Sequence, residues 1–210
     1  MSAPCNVREN TADRSRQQRI VDFFNEVGML RLTPRTGYQF LGSGQESVAE
    51  HSFRTAVMGY VLARMAGADV ARTTFLCLFH DLGEARTGDM NYVNRIYTTT
   101  NARRAMADSV DGTGLENDVL PLWDELEDNQ SLEAHLAHDA DQLDLIFNLK
   151  RESDLGNTFA DTWLESALQR LHTPHAQELA TVMMTVNHSE WWYAGPHPDW
   201  WVHRNGAKKD

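Results

Sequence analysis

The sequence predicts an all-α domain, and three observations carry that prediction. Apolar residues recur at helical spacing almost throughout, no segment alternates polar and apolar residues as a half-buried strand would, and helix start and stop signals bracket the periodic stretches. There is no internal repeat and no low-complexity segment. A chain of 210 residues fits one domain, and folding can bury about 70% of the surface its unfolded form exposes, so no disulfide staple is required.

Residues 13–27 read as a helix with Ile20, Phe24 and Val27 on one face, closed by Gly28. Residues 29–46 contain Pro34, Gly37, Gly42 and Gly44 and read as an irregular loop. Ser47-Val-Ala-Glu50 is a capping box, so a helix should start there and run to about Gly67, with His51 in its first turn. A helix over about 69–82 carries Phe75, Leu76, Leu78 and Phe79 and delivers His80 and Asp81 near its end; Gly83 and Gly88 punctuate the segment after it. Residues 111–114 form a turn before a short acidic helix near 115–128. Ser131 can cap a long helix to about Glu152, with Leu136, Ala140, Leu143 and Phe147 inward. Two more helices fit 158–171 and 175–190, and the segment from Tyr193, with Gly195, Pro196 and Pro198, reads as a loop.

Composition bounds the function. Apolar residues make up 41% and charged residues 23%, ordinary for a soluble globular protein. Cys5 falls in an expected tail and Cys77 in an apolar run, which suits a reducing, cytoplasmic setting. No apolar stretch approaches the ~20 residues a membrane span needs, and the N-terminus lacks the apolar core of a secretory signal. The net charge of -11 is uneven: +3 over residues 1–105 and -14 over residues 106–210. An acidic protein repels polyanions, so a nucleic-acid polymer is not expected as a partner, whereas the basic excess in the first half can serve a compact anion.

His80-Asp81 is unusual because two adjacent ligand-capable residues end a strongly apolar helix. Burying them unpartnered costs roughly 1–3 kcal/mol each, so something must satisfy them. Adjacent helical side chains point about 100° apart, so both reach one ion only if it lies close to the backbone. Further ligands must come from neighbouring helices. His51 starts the preceding antiparallel helix, 29 residues before His80, and Asp141 lies 60 residues after Asp81 in the long helix that can close the site. Asp141 borders the apolar face, whereas Asp139 and Asp144 are expected on different faces from it. His138, one turn before Asp141, reads as an exposed helix residue, and His51 taken alone could equally be structural. Two imidazoles and two carboxylates suit Mn, Co, Fe, Ni or Zn better than calcium.

The surrounding words are more specific. Pro34-Arg-Thr-Gly-Tyr38, Glu46-Ser-Val-Ala-Glu-His51, Phe79-His-Asp-Leu-Gly-Glu84, Thr87-Gly-Asp89 and Asp139-Ala-Asp-Gln-Leu143 together resemble the HD-domain 5′-deoxynucleotidases and their close relatives over about residues 18–155. The resemblance implies a single-domain HD-type helical bundle over 13–192, flanked by segments 1–12 and 193–210. It assigns His51, His80, Asp81 and Asp141 to one divalent metal ion (Mn, Co, Fe, Ni, Zn or Mg). Glu84, one helical turn beyond the ligand pair, takes a catalytic, proton-handling position, and Asp89 resembles another active-site acid that could equally cap the next segment. The relatives place a phosphate-contacting arginine in the loop before His51, which here is Arg31 or Arg35; Arg54 is a third candidate, with a salt bridge as its simpler explanation.

The implied activity is metal-assisted hydrolysis of a phosphomonoester, with a (deoxy)nucleoside 5′-monophosphate as substrate and a homodimer as the expected assembly. Rivals keep part of this reading. A nucleotide di- or triphosphate hydrolase would use the same metal site, a di-iron oxygenase would need an extra ligand pair, and a non-catalytic nucleotide-binding module would have lost a ligand. Trp191, Trp192, Tyr193, Trp200 and Trp201 form an aromatic cluster outside the matched region that most simply covers the core's open edge.

Overall fold

A computed structural model describes residues 14–193, which form twelve helices. No strand occurs among the described residues, only an isolated antiparallel bridge between Pro34 and Ser47. Among them, no helix is long and apolar enough to cross a membrane. Cys5, Trp200 and Trp201 lie outside the described residues.

Helix α1 (Arg16–Met29) begins at a capping box of Ser15 and Gln18 and runs through Gly28, one residue past the predicted stop. Its inward anchor is Phe23, while Phe24, expected inside, is 64% exposed. A four-residue helix α2 (Tyr38–Leu41) interrupts the predicted loop. The Pro34–Ser47 bridge and the bonds Arg35 N–Glu46 O (2.9 Å) and Val48 N–Thr33 O (2.9 Å) pin that loop to the start of α3 (Val48–Ala66). The Ser47/Glu50 capping box forms as predicted, and Gly67 at φ 69° closes the helix.

Helix α4 (Val70–Phe79) is capped by Asp69 and ends three residues early, so His80 and Asp81 sit in the turn after it. Leu76 and Cys77 face inward, but Phe75 and Leu78 are exposed. Next come α5 (Glu84–Thr87) and two helices the periodicity did not show, α6 (Tyr92–Tyr97) and α7 (Ala102–Val110). Helix α8 (Glu116–Asp128) leads to α9 (Leu132–Asp154), capped by Ser131 as expected. The remainder is α10 (Phe159–Leu168), α11 (Pro174–Thr185) and α12 (Glu190–Tyr193).

Helix α9 is the axis of the fold, packed against α3, α4, α10 and α11. Its Leu136, Leu143, Ile146 and Leu149 join Leu62 and Leu76 in the main core. Phe147 does not take part: it is 39% exposed, and the Arg54 guanidinium lies over its ring at 5.4 Å. A smaller core of Phe23, Val48, Leu82, Met106 and Val110 joins α1, α3 and α7. His51 and the His80–Asp81 turn lie where these two cores meet, because α3 and the segment from α4 through Leu82 contribute to both.

Candidate metal centre and its cleft

The antiparallel pairing of α3 and α4 brings His51 and His80 together, with ring centroids 5.1 Å apart. His51 is fully buried, and its Nδ1 donates to Asp144 Oδ2 at 2.6 Å. His80 Nδ1 lies 2.6 Å from the Cys77 carbonyl oxygen, which can only accept, so that nitrogen holds the proton. Both rings are thereby held in the tautomer that frees Nε2, and the two Nε2 atoms face each other at 3.1 Å. Asp81 Oδ2 is 3.1 Å from His80 Nε2 and 3.5 Å from His51 Nε2, and Asp141 Oδ1 is 3.1 Å and 4.0 Å from His51 and His80 Nε2 respectively.

Two lone pairs pointed at each other repel unless positive charge lies between them, and the two carboxylate oxygens add to that demand. Burial disfavours a charged His51 ring, yet hydrogen bonds to Asp141 and Asp144 push its pKa up to about 10. Burial likewise works against ionised Asp81 and Asp141. The His80, His51 and Arg35 charges nevertheless hold Asp81 at about 2, and the His51 hydrogen bond and charge hold Asp141 well below the usual carboxylate range. Ring protons supply that charge when no ion is bound; a divalent transition metal ion would displace them, leaving two neutral nitrogens and two ionised oxygens to hold it. Each imidazole is further oriented through its other nitrogen, the usual outer support of such a site.

Arg35 donates from Nη1 to Asp81 Oδ2 at 3.2 Å, and its Nη2 lies 3.9 Å from Asp141 Oδ1. It lines a cleft of about 320 Å3 together with Asp81, Asp141, Glu84 and Asp89. Arg31 is exposed and outside that cleft, so of the two loop arginines only Arg35 is placed to meet an anion there. Glu84 keeps Oε2 buried without a hydrogen-bond partner. Burial, then the Asp81 and Asp89 charges, push its pKa up from the ordinary carboxylate range. Asp89 does not cap the next helix; Asn91 does, accepting from Asn94 N at 2.8 Å. Asp89 Oδ2 instead accepts from the Thr36 amide at 2.8 Å and clamps the Arg35 loop.

Other placements differ from expectation. Asp144 is not on a different face from Asp141: three residues along a helix is the same side, and there it supports His51. Arg54 forms the expected salt bridges, pairing with Asp144 and Glu46. Asp139 does point away, with its two oxygens accepting the His172 and Thr173 amides at 2.7 Å at the start of α11. His138 is half-buried, not exposed, and its Nε2 lies 3.0 Å from the Leu126 carbonyl oxygen. Among the described residues, His51, His80 and Asp81 bring ligand atoms within 4.8 Å of one another; Asp141 falls outside that group although its Oδ1 approaches both Nε2 atoms, and the other such group is Glu46, His51 and Asp144. It reuses His51 and is already neutralised by Arg54, so it is not the independent second site a di-iron centre needs.

Comparison with known proteins gives the family. A family model described as HD domain matches residues 27–183, beginning later and reaching further than the sequence words alone. The chain is 30% identical over 142 residues to the 5′-deoxynucleotidase HDDC2 of Danio rerio, covering 65% of this chain and 70% of that one. It superposes with a TM-score of 0.67 on a conserved hypothetical protein from Pyrococcus furiosus, at 24% identity over 79% of this chain and 99% of that one. A predicted metal-dependent phosphohydrolase from Magnetospirillum magnetotacticum shares the fold with a TM-score of 0.64, at 22% identity over 82% and 95% of the two chains. With about three-quarters of its length matched by that family model and its histidine–aspartate turn facing a second histidine across the helix pair, the chain belongs to the HD domain family.

Proposed function

We propose that this protein is a metal-dependent phosphohydrolase that cleaves a (deoxy)nucleoside 5′-monophosphate to nucleoside and phosphate. The observation that carries the reading is convergence: His51, His80, Asp81 and Asp141 offer four ligand atoms at one end of a cleft that also holds Glu84 and Arg35. The 5′-deoxynucleotidase relatives support the substrate class. His51, His80, Asp81 and Asp141 would hold the ion, with Mn, Co, Fe, Ni, Zn or Mg as candidates. When bound, such an ion supplies Lewis acidity toward the phosphoryl group and a more acidic water.

The protein's own groups complete the chemistry. Arg35 already carries positive charge beside the ligand carboxylates and presents a planar fork to phosphate oxygens. Its loop is fixed by the Asp89–Thr36 bonds, so that charge needs little rearrangement when substrate arrives. Glu84, buried with a free oxygen, is the group placed to hold and release a proton at the reacting water or the leaving oxygen. Cytoplasmic residence and homodimeric assembly belong to the same reading and rest on the resemblance.

The test is phosphate release from a panel of nucleotides by chelator-stripped protein, before and after adding Mn, Co, Mg or Zn. The stripped protein should be inactive and the reloaded protein active on monophosphates. Release of pyrophosphate or of sequential phosphates would shift the reading to a di- or triphosphate hydrolase. Full activity in excess chelator, with no metal found by elemental analysis, would end it.

A further inference from the structure

The cleft extends beyond the four ligands. Tyr92 of α6 and Trp163 and Arg170, from α10 and the turn after it, make one wall of it. The Tyr92 and Trp163 rings meet edge to face, with centroids 6.2 Å apart at 73°, and Phe40 braces Trp163 from another side at 6.2 Å and 82°. Arg170 donates from Nη1 to the Tyr92 hydroxyl at 2.6 Å, and its guanidinium lies 5.5 Å from the centre of the same ring. Tyr92 therefore fixes the orientation of Arg170 while using one of its five N–H donors.

This wall is open, although two of its three residues are aromatic. Tyr92 is 48% exposed and Trp163 is half-buried, so neither ring is simply core. It also stands beside the anion-facing loop: a Cβ built on Gly37, two residues past Arg35, would touch the Trp163 ring at 3.5 Å. Gln142, next to Asp141 in the chain and also lining the cleft, keeps Nε2 buried without a partner. Flat π-faces, a fixed guanidinium and a spare amide donor beside a phosphate position match a flat heteroaromatic ring with acceptor atoms on its edge.

We infer that this wall is a nucleobase subsite, in which Trp163 and Tyr92 present faces for stacking and Arg170 donates to acceptors on the base edge. The inference rests on the nucleotide reading above and adds the residues that recognise the base. Stacking is tolerant of base identity because every base has a π-face, so the subsite adds affinity for nucleotides as a class over base-free sugar phosphates.

The experiment compares the metal-loaded wild type with Trp163→Leu and Tyr92→Leu, using dGMP and 2-deoxyribose 5-phosphate as substrates. For dGMP, kcat/KM should fall roughly tenfold in each variant, mainly through KM. For the base-free phosphate it should move by less than about twofold, because that substrate has nothing to place on the wall. Leucine preserves apolar packing at Trp163, and Tyr92 is exposed enough that its variant folds if the first does not. Equal losses on both substrates, or a wild type no faster on dGMP than on the base-free phosphate, overturn the subsite. If neither substrate is hydrolysed with any metal, the monophosphate reading fails, and calorimetric titration with deoxyguanosine decides the subsite alone. Binding by wild type that is lost in Tyr92→Leu then supports it, and no binding overturns it.

Discussion

Asp144 sits directly behind His51, accepting its Nδ1 proton at 2.6 Å from a position almost wholly buried and itself paired with Arg54. The pair fixes the orientation of the His51 ring, so Asp144 would act on a bound metal through His51 without touching the ion. Asp144→Asn keeps the shape but removes the charge that polarises the ring. Outer-support substitutions of this kind cost about 10–100-fold in metal affinity, and that range is expected here for Mn binding by calorimetry. Arg54→Gln should give a smaller loss in the same direction. Unchanged affinity in Asp144→Asn would reduce that carboxylate to a packing role.

Asp81 and Asp139 separate ligation from folding. Asp81→Ala should abolish metal binding, because it removes one of four ligand atoms. Asp139→Ala should leave metal content near wild type yet lower stability by about 1–3 kcal/mol, since two buried amides at the start of α11 lose their acceptor. Metal analysis and urea unfolding of the two variants give opposite patterns if the assignment is right.

Glu84→Gln preserves size but cannot exchange a proton. Loss of general acid–base help typically lowers the rate by about 10²–10⁴, or about 3–5.5 kcal/mol of barrier. Single-turnover rates should fall in that range while metal content and substrate affinity hold. A variant within a few-fold of wild type would demote Glu84 to a structural residue, and one that loses its metal would make it a ligand.

Gly59 permits the close packing of α3 on α4. A Cβ at that position would clash with Cys77 Sγ, inside the main core. Gly59→Ala gains roughly 0.5–1 kcal/mol of helix propensity but overpacks a core site, which costs about 1–3 kcal/mol, so the net change should be destabilising. In a Cys77→Ala background the clash disappears and the same substitution should become neutral or stabilising. Additive effects in that double-mutant cycle would show that the two side chains do not compete for the space.

Glu26 provides a pH test away from the site. Burial opposes its ionisation, but hydrogen bonds from Arg86 and Ser109, and then the Arg86 charge, outweigh that and lower its pKa. The folded value lies below the ordinary 4.5, so its stabilisation is complete above about 4.5 and lost as pH falls through the lower folded value. Wild type should therefore exceed Glu26→Gln in urea midpoint near neutrality, with the gap closing in acid. A gap independent of pH would mean that the contact stabilises through packing alone.

What could be read from the chain depended on whether the cause was local. Ser47 with Glu50, and Ser131, announce their helices because capping is satisfied within four residues. The four candidate ligands were legible through the words around them. Helix α6 was not, because Tyr92, Ile96 and Tyr97 are exposed and leave no inward stripe to detect. Phe24 and Phe147 were misplaced because hydrophobicity alone does not say which of two adjacent residues faces the partner helix. Asp144 was legible in principle, three positions after Asp141, but its partner is 93 residues away in sequence. The aromatic wall needed α6 and α10 brought to one cleft, which no local pattern records.

Helix α9 ties core and chemistry to the same backbone: Asp141 and Asp144 alternate with Leu143 and Ile146 along its length. Its amides should exchange with deuterium only when the whole molecule opens, so these two carboxylates are presented on the slowest clock the protein has. Glu84 rides instead on a four-residue helix bounded by Gly83 and Gly88, where openings can be local and frequent. One side of the cleft is thus anchored for the lifetime of the fold, and the side that carries Glu84 is free to open locally.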